Sequence, residues 1–347
     1  MSSKEIDYTQ THVVNKSFLY KKGLCGLNNL GNTCFMNSII QCLNNTIPLS
    51  RYFLENKHVV SRNQSSDSYN IVNEWNKVIR GLWHSNSIVT PIEFQKEVQS
   101  LALKKGLIDF TGFGQNDSQE FLQFFLESMH NCLSKKVEMN IRGKSRNKID
   151  EMAVDAMKSF VQFFQNDYSF IIDTFYGQHH SKLLTIKDSK TEISYTYDPF
   201  SCLSLEISKS SETIYDCLDR YVSREDISSE TRKQFKSLSF WTLPKVLIVF
   251  FKRFDNHQRK LNYQIDFPLE NLDMSKYVSG YNKSKFKYDL VAVSNHMGGC
   301  SGGHYFAYCK NADSKWYKFD DNVVSTSADL EKRVVSPMAY CLFYILK

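Results

Sequence analysis

The sequence lacks the segments that direct a protein into or across a membrane. Its N-terminal stretch, MSSKEIDYTQTHVVNKS, has no apolar core of a signal peptide. No apolar run approaches the roughly 20 residues that a membrane-spanning helix requires. We therefore expect a soluble intracellular protein, cytoplasmic and/or nuclear, that makes no membrane contact.

Cysteine pairs are also missing. The chain has nine cysteines, an odd number, and none of them belongs to a C-x-x-C pair. This pattern is atypical of a disulfide framework and of a zinc site built from cysteines. The sequence therefore predicts a reducing compartment, with neither a metal nor another cofactor.

A strong charge of either sign is absent as well. The net charge is +6 over 347 residues, and no stretch combines basic runs with interleaved aromatics as nucleic-acid binding requires. The densest basic segment, RGKSRNK at 142–148, is interpreted as a solvated loop, with an acidic or nucleic-acid partner as the alternative. Apolar residues make up 42% and aromatics 14%, which indicates a globular protein. We expect no nucleic-acid partner.

No repeat, low-complexity tract or Pro/Gly linker divides the chain, but its periodicity changes near residue 169. Helical spacing dominates 23–165, as in DSQEFLQFFLESMHNCL, which follows a capping Asp117 or Ser118. From about 169 the segments are short and rich in β-branched and aromatic residues, with one helix near SETIYDCLDRYV. The sequence therefore predicts an α+β fold whose helical and β lobes face each other, with the site in the cleft between them.

The segment GNTCFMNSIIQCLNN places a thiol at the start of an amphipathic helix. Its apolar residues share one face of a helix that begins near Thr33, so Cys34 lies in the first turn. The unpaired backbone N–H groups and the dipole of that turn favour a thiolate. A nucleophile and a buried structural cysteine both fit this placement.

A thiol protease also needs an imidazole, a residue that orients it and donors for the oxyanion. His304 follows a glycine-rich turn at the start of one predicted strand, and Asp320 ends the next. Antiparallel pairing brings those two ends side by side. Asn29, five residues before Cys34, is an oxyanion donor or simply a turn residue.

Four segments, in chain order, resemble the sequence boxes of the ubiquitin-specific protease family: GLCGLNNLGNTCFMNSIIQCLNN, GQNDSQEFLQFFL, LPKVLIVFFKRF and GGHYFAYCKN with KWYKFDDNVVS. The resemblance implies a papain-like cysteine protease fold with a helical thumb, a β-rich palm and antiparallel β fingers. The implied boundaries are a thumb at about 23–168, fingers at about 169–245 and a palm at about 246–347. Residues 1–22 are then an N-terminal extension to a single catalytic domain at 23–347.

The resemblance also implies a role for each residue of the site. Cys34 is the nucleophile, His304 is the general base and then the acid, and Asp320 orients the imidazole. Asn29 matches the family's oxyanion asparagine. Asp321 matches a neighbouring acidic position that supports the site.

A second polar cluster, Gln115, Asp117 and Glu120, lies at a predicted helix start. Acids at that place cap the helix and interact favourably with its dipole. By resemblance, this cluster binds substrate: Asp117 and Glu120 hold the arginines of ubiquitin's C-terminal tail, and Tyr305 lines the channel that its Gly-Gly terminus threads. Both interpretations can hold together.

Two segments match the family's blocking loops, DNHQRKLNY at 255–263 and NHMGGCSGG at 295–303. Four glycines give the second segment backbone freedom, so a mobile gate and a plain surface hairpin loop both fit. His296, at its entrance, is interpreted as a structural rather than a catalytic histidine.

One departure from the family concerns metal. Many members hold their fingertips together with zinc on two C-x-x-C pairs, whereas between residues 175 and 243 this chain has only Cys202 and Cys217. Four ligands would require His179 and His180 as well. The sequence therefore predicts short, metal-free fingers.

From the residues and the resemblance we predict a thiol isopeptidase that cleaves after the C-terminal glycine of ubiquitin through an acyl-enzyme on Cys34. We expect it to be a monomer whose partners are ubiquitin and ubiquitinated proteins. The alternatives are a catalytically inactive ubiquitin-binding module and the same chemistry on another ubiquitin-like modifier.

Overall fold

The computed structural model describes residues 22–85, 87–187, 190–210, 212–229, 232–299 and 302–347. Apart from Lys22, the predicted N-terminal extension lies outside the described residues. No helix in the described ranges is long and apolar enough to cross a membrane.

Helices dominate the chain up to residue 175. The α-helices of the described ranges are α1 (Cys34–Asn44), α2 (Ile47–Leu54), α3 (Lys57–Ser61), α4 (Tyr69–His84), α5 (Ile92–Lys104), α6 (Ser118–Leu133), α7 (Lys148–Phe164), α8 (Phe170–Phe175) and α9 (Ile214–Tyr221). Two predicted starts are confirmed: Thr33 directly precedes α1, and Asp117 caps α6 by accepting a hydrogen bond from the backbone N–H of Gln119. The helix predicted near SETIYDCLDRYV is present as α9, where Thr213 forms a capping box.

The predicted change from helix to strand at residue 169 is wrong by one short helix. Residues 170–175 have the apolar, β-branched composition of a strand, but they form α8. The Ser169 side chain accepts a hydrogen bond from the backbone N–H of Ile172 and so caps the helix. The first strand begins only at Gly177.

The strands form two sheets. Their bounds are β1 (Gly177–Lys187), β2 (Lys190–Thr196), β3 (Pro199–Phe200), β4 (Leu203–Glu206), β5 (Glu225–Asp226), β6 (Lys233–Thr242), β7 (Val246–Lys252), β8 (Leu272–Asp273), β9 (Lys287–Gly299), β10 (Gly302–Lys310), β11 (Trp316–Asp320), β12 (Val323–Ser325) and β13 (Ala339–Leu346). The smaller sheet has the order β2-β1-β6-β5, with β3 on β1. The larger has the order β12-β11-β10-β9-β13-β7-β4, with β8 on β9.

The segment that the sequence places in the fingers, 169–245, is divided between these two sheets. β1, β2, β3, β5 and β6 pair antiparallel in the smaller sheet. β4 instead pairs parallel with β7 in the larger sheet, and α9 packs beside β4. Residues from about 203 to 222 therefore belong with the larger sheet.

The larger sheet is buried on both faces, which explains the uninterrupted apolar run of β7. Val246, Ile248 and Phe250 enter the core that this sheet shares with the helices. The alternate residues, Leu247 among them, enter a second core on the opposite face. Side chains alternate along a strand, so a strand covered on both faces must be apolar throughout.

Helix α1 is more deeply buried than its amphipathic pattern predicts. All eleven of its residues are buried, including the polar face. Two of the polar side chains have partners inside: Ser38 Oγ lies 3.0 Å from Ser294 Oγ, and Gln41 Nε2 donates to the carbonyl of Cys25 at 2.9 Å. Because buried polar groups are stable when they are hydrogen-bonded, this face fastens α1 to its surroundings and fixes the position of its N-terminus.

Candidate active site

His304 and Asp320 are brought together by the pairing of β10 with β11. The two strands are antiparallel, with Ala307 opposite Phe319. At the end of this ladder His304 Nε2 lies 2.6 Å from Asp320 Oδ1, the distance of a charge-assisted hydrogen bond. The sequence prediction that these two side chains lie side by side is confirmed.

Asp320 has a second partner that sequence reasoning missed. Lys318 Nζ donates to Asp320 Oδ2 at 2.6 Å. Burial alone would raise the pKa of Asp320, but the hydrogen bonds from Lys318 and His304 outweigh it and lower the pKa. The signal was present in the sequence, because residues two apart on a strand share a face.

Cys34 is the first residue of α1, and its side chain is only 4% exposed. Burial raises the pKa of this thiol, and the nearby Asp321 carboxylate raises it further. The backbone N–H groups of Tyr305, Phe35 and Cys34 itself offset part of this effect. The sequence prediction that the helix start favours a thiolate is therefore wrong for this conformation, since desolvation exceeds the effect of the helix N-terminus.

The hydrogen-bond donors near the Cys34 sulfur are backbone N–H groups. The N–H of Tyr305, the residue after His304, points at Cys34. Across the described part of the chain, no hydrogen bond joins Cys34 Sγ to the His304 ring, whose Nε2 is engaged by Asp320. Cys34 thus lies next to the backbone of Tyr305, the residue that follows His304, but its thiol is not hydrogen-bonded to the imidazole.

The turn before α1 is organised by Asn29 and Asp321. Asn29 Oδ1 accepts from the backbone N–H groups of Gly31 and Thr33, both at 3.1 Å, and its Nδ2 donates to Asp321 Oδ2 at 2.9 Å. The other oxygen of Asp321 accepts from Asn37 Nδ2 at 2.8 Å. Asn29 is therefore positioned beside Cys34 by the strand end that also carries Asp320.

Asn37 is a second residue that sequence reasoning missed. It lies one turn after Cys34 in α1, is buried, and also reaches the carbonyl of Asn28 at 3.4 Å. A polar residue among the apolar positions of a buried helix could have marked it.

A close backbone approach holds the turn against the strand end. The N–H of Leu27 donates to the carbonyl of Asp321 at 2.8 Å. A Cβ on Gly26 would lie 2.4 Å from the carbonyl oxygen of Asn322, closer than any side chain tolerates. Only glycine allows this contact.

The predicted substrate residues lie around the same strand. Gln115 Oε1 accepts from the backbone N–H of Gly303 at 2.6 Å, next to His304. Asp117 uses one oxygen for the cap of α6 and receives the Tyr340 hydroxyl on the other at 2.6 Å. Burial, then the charge of Asp117, raises the pKa of the buried Tyr305 hydroxyl. The capping interpretation of Asp117 is confirmed.

Glu120 is exposed and one turn into α6. Burial of its carboxylate, then the charges of Asp117 and Asp109, raise its pKa. No lysine or arginine of the described ranges forms an ion pair with any of these three acids. They form an acidic patch, which we define as Asp109, Asp117 and Glu120.

The second predicted blocking loop, 295–303, is largely a strand pair. β9 continues to Gly299 and β10 resumes at Gly302, with Gly303 opposite Gly298; residues 300 and 301 lie outside the described chain. His296 is buried on β9, its ring centroid 4.6 Å from that of Tyr305. Burial, then the charges of Lys260 and His304, lower its pKa to about 4. A neutral, buried ring agrees with the predicted structural role.

The first loop, 255–263, is tied to this hairpin. Lys260 Nζ donates to the carbonyl of His296 at 2.5 Å, and burial, then the charge of Arg253, lower the Lys260 pKa to about 8. Within the loop, Asp255 accepts from the backbone N–H of His257 and of Arg259, both at 2.9 Å.

Metal ligands are best sought among His, Cys, Asp and Glu side chains that lie close together. Among the described residues, one such group is close enough to share an ion: His304, Asp320 and Asp321. Its members are already engaged with one another, with Lys318 and with two asparagines.

The histidines of the smaller sheet are committed to other contacts. His179 Nε2 accepts or donates a 3.0 Å hydrogen bond with the Tyr221 hydroxyl, and His180 Nδ1 lies 2.8 Å from Ser279 Oγ. Cys202 Sγ receives a hydrogen bond from Gln123, and Cys217 is buried in the second core.

Comparison with known sequences matches residues 25–344 to the family described as ubiquitin carboxyl-terminal hydrolase. Ubiquitin carboxyl-terminal hydrolase Usp2 of Drosophila melanogaster is 36% identical, over 93% of this chain and 35% of its own length. Ubiquitin carboxyl-terminal hydrolase 2 of Homo sapiens is 35% identical, over 94% and 55%. The chain thus spans only part of these two relatives. The protein of the same name from Gallus gallus is 35% identical over 94% of both chains.

Solved structures give the same result for the fold. A yeast SAGA DUB module with an Sgf73 variant matches with a TM-score of 0.71 and 26% identity, over 94% of this chain and 69% of that chain. The SAGA DUB module of Ubp8, Sgf11, Sus1 and Sgf73 bound to monoubiquitin matches with a TM-score of 0.70 and 27% identity, over 94% and 70%. The predicted α+β fold is confirmed.

Proposed function

The chain belongs to the ubiquitin carboxyl-terminal hydrolase family, and from this membership we propose that it is a thiol-dependent deubiquitinase. It hydrolyses the isopeptide or peptide bond that follows the C-terminal glycine of ubiquitin. The observation that carries the proposal is the 2.6 Å pair of His304 with Asp320, one residue from the backbone N–H that points at the thiol of Cys34.

In this proposal Cys34 Sγ attacks the carbonyl carbon of the terminal glycine, and His304 accepts the thiol proton. The tetrahedral oxyanion is stabilised by the backbone N–H of Cys34 and by the side-chain amide of Asn29. When the C–N bond breaks, His304 gives its proton to the departing amine. A water, deprotonated by His304, then hydrolyses the thioester and restores the thiol.

The resting arrangement has to change before the first step. The thiol is buried, its pKa is raised, and no hydrogen bond links it to the imidazole in the described residues. Proton transfer requires the two groups to come within hydrogen-bond reach. We propose that the bound C-terminal tail of ubiquitin brings β10 and the start of α1 into that register.

The acidic patch supports recognition of a basic tail. Glu120 and Asp109 have no cationic partner in the described chain. Burial is the main cause that raises the pKa of Glu120, and repulsion by Asp117 and Asp109 raises it further. An arginine side chain removes that repulsion and forms charge-assisted hydrogen bonds. In this proposal Asp117 and Glu120 bind the tail arginines, Gln115 holds the hairpin beside His304, and Tyr305 lines the channel.

The setting follows from the thiol chemistry. The eight cysteines that the structure describes are all free, which supports a reducing compartment, the cytoplasm and/or the nucleus. We propose a monomer whose partners are ubiquitin and ubiquitinated proteins. Solved relatives bind ubiquitin or ubiquitin aldehyde within SAGA DUB modules.

The experiment compares C-terminal fluorogenic conjugates of ubiquitin and of other ubiquitin-like modifiers as substrates of the wild type and of Cys34→Ala. We expect turnover of the ubiquitin conjugate by the wild type alone. Turnover of a different modifier alone would show that ubiquitin is not the substrate. No turnover of any conjugate, together with tight binding of ubiquitin, would show that the protein is a ubiquitin-binding module and not an enzyme.

A further inference from the structure

The two oxygens of the Asp320 carboxylate have different partners. Oδ1 faces His304 Nε2 and Oδ2 faces Lys318 Nζ, both at 2.6 Å. A carboxylate that is held at both oxygens cannot rotate about its terminal bond without losing one of them. The lysine therefore restricts the orientation in which Asp320 meets the imidazole.

Lys318 is itself held in place. It lies on β11 opposite Tyr308 of β10, and its ammonium group lies 4.5 Å from the ring centroid of Phe306. Contact with an aromatic face stabilises a cation. The Lys318 side chain is 31% exposed and that of Asp320 is 29% exposed, so the pair is partly shielded from solvent.

Strand geometry places the whole group on one face. On β10, every second residue from His304 to Tyr308 points to one face of the sheet. Lys318 and Asp320 of the neighbouring strand β11 point to the same face, since Lys318 pairs with Tyr308. Lys318 thus completes a row that runs from the lysine through the carboxylate to the imidazole.

We propose that Lys318 is a positioning residue of the reaction, which fixes the Asp320 carboxylate against His304 and supplies one positive charge to the pair. This inference rests on the proposed function of the site. A partly exposed ion pair contributes little to stability, so the role proposed here is catalytic geometry and charge rather than folding.

The charge has a predictable sign. The ionisable groups facing Lys318 and Asp320 are Tyr308 and His304 on β10, Asp321 beyond β11, and Arg333, whose charge also reaches Tyr308. Removing the positive charge of Lys318 leaves the site more negative. Every proton in the site then becomes harder to remove, so both limbs of the pH profile move to higher pH.

The test compares Lys318→Met, Lys318→Arg and the control Lys315→Met in steady-state hydrolysis of a ubiquitin C-terminal fluorogenic conjugate. Lys315 is exposed, precedes the same strand and has no ion pair among the described side chains. We expect Lys318→Met to lose about 10-fold to 10²-fold in kcat with little change in KM, the upper value being the defect that a 1 Å misplacement of a catalytic group produces. Its profile of kcat/KM should shift upward by about half a pH unit.

Lys318→Arg should keep most of the rate and the wild-type profile, because it keeps the charge. Equal losses in the arginine and methionine variants, an unshifted profile, or a defect confined to KM would overturn the proposal. A readout independent of ubiquitin is the NMR titration of the Asp320 carboxyl, to which Lys318 Nζ donates; it should move to higher pH in Lys318→Met and stay unchanged in Lys315→Met. If the wild type hydrolyses no conjugate while this titration shift appears, the proposed function fails and the positioning role of Lys318 stands.

Discussion

At the scale of single residues, Asn29 does two things in the resting site. Its carbonyl oxygen accepts from two backbone N–H groups of the turn, and its amide group donates to Asp321. An amide nitrogen carries two hydrogens. One is used by Asp321, and in the proposed mechanism the second donates to the oxyanion.

We predict that Asn29→Ala lowers kcat of ubiquitin conjugate hydrolysis by about 10² to 10³, the range for loss of one oxyanion donor, with KM little altered. The matched control is Asn28→Ala, since Asn28 Nδ2 donates instead to Thr90. Full activity in Asn29→Ala would show that Asn29 is only a turn residue and not an oxyanion donor. Circular dichroism melting of both variants checks that the turn itself survives.

The raised pKa of Cys34 leads to a prediction about the pH dependence of its alkylation. Because burial and Asp321 raise the pKa of its thiol, the free enzyme should hold it protonated at neutral pH. We predict that its rate of reaction with iodoacetamide, followed by mass spectrometry of the Cys34 peptide, is low at pH 7. The rate should still be rising at pH 9, which is above the ordinary pKa of a free thiol, about 8.5. A fast plateau reached below pH 7 would mean that thiolate and imidazolium are already paired at rest.

Which site residues the sequence predicts depends on whether the signal is local. The start of α1 at Cys34 and the pairing of the strands of His304 and Asp320 follow from periodicity, and both are confirmed. The protonation of Cys34 does not follow from periodicity. Its burial and the charge of Asp321 act on the thiol only after folding brings together residues that are far apart in the chain.

At the scale of elements, the β9–β10 hairpin is paired further towards its tip than its glycines predict. Four glycines predict a loop, yet the strands pair up to Gly299 and Gly302. Gly303 permits close packing, because a Cβ on it would lie 2.3 Å from His296 Nε2. Gly298 instead adopts a positive φ of 97°. Composition alone does not distinguish a glycine that gives freedom from one that permits contact.

The smaller sheet carries the prediction about metal. Its two candidate histidines are bonded to Tyr221 and Ser279, and Cys217 is buried in the core of the larger sheet. A structural zinc contributes directly to the free energy of folding. Among the described residues, the group close enough to share an ion is His304, Asp320 and Asp321, which lies outside the smaller sheet.

We therefore predict that the purified protein holds no stoichiometric zinc and that prolonged EDTA treatment changes neither its melting temperature nor its activity. Elemental analysis of the wild type and of Cys202→Ser is the measurement. About one equivalent of zinc, lost from the serine variant and on chelation together with structure, would contradict it.

At the scale of the whole molecule, buried histidines link stability to pH. Burial is the main cause that lowers the pKa of His58, His179 and His296 to about 4, from an ordinary value of 6.5. Between those two values the unfolded chain binds protons that the folded chain does not. The free energy of unfolding therefore falls as the pH falls through this window.

We predict a lower melting temperature at pH 5 than at pH 7.5, and a smaller difference in His58→Phe, whose ring would pack against Phe53 as the histidine does. The control is His84→Phe, at an exposed position. An identical pH dependence in the wild type and in His58→Phe would remove His58 from this explanation.

The most direct test of the central claim is intact-mass spectrometry after incubation with a ubiquitin whose C-terminus carries an electrophile. The wild type should gain the mass of one ubiquitin at neutral pH, with the new bond mapped to Cys34, and Cys34→Ala should gain none while still binding ubiquitin. Labelling of Cys34→Ala to the same extent, or a wild type that binds ubiquitin and never reacts, would contradict the assignment of Cys34 as the nucleophile of a deubiquitinase.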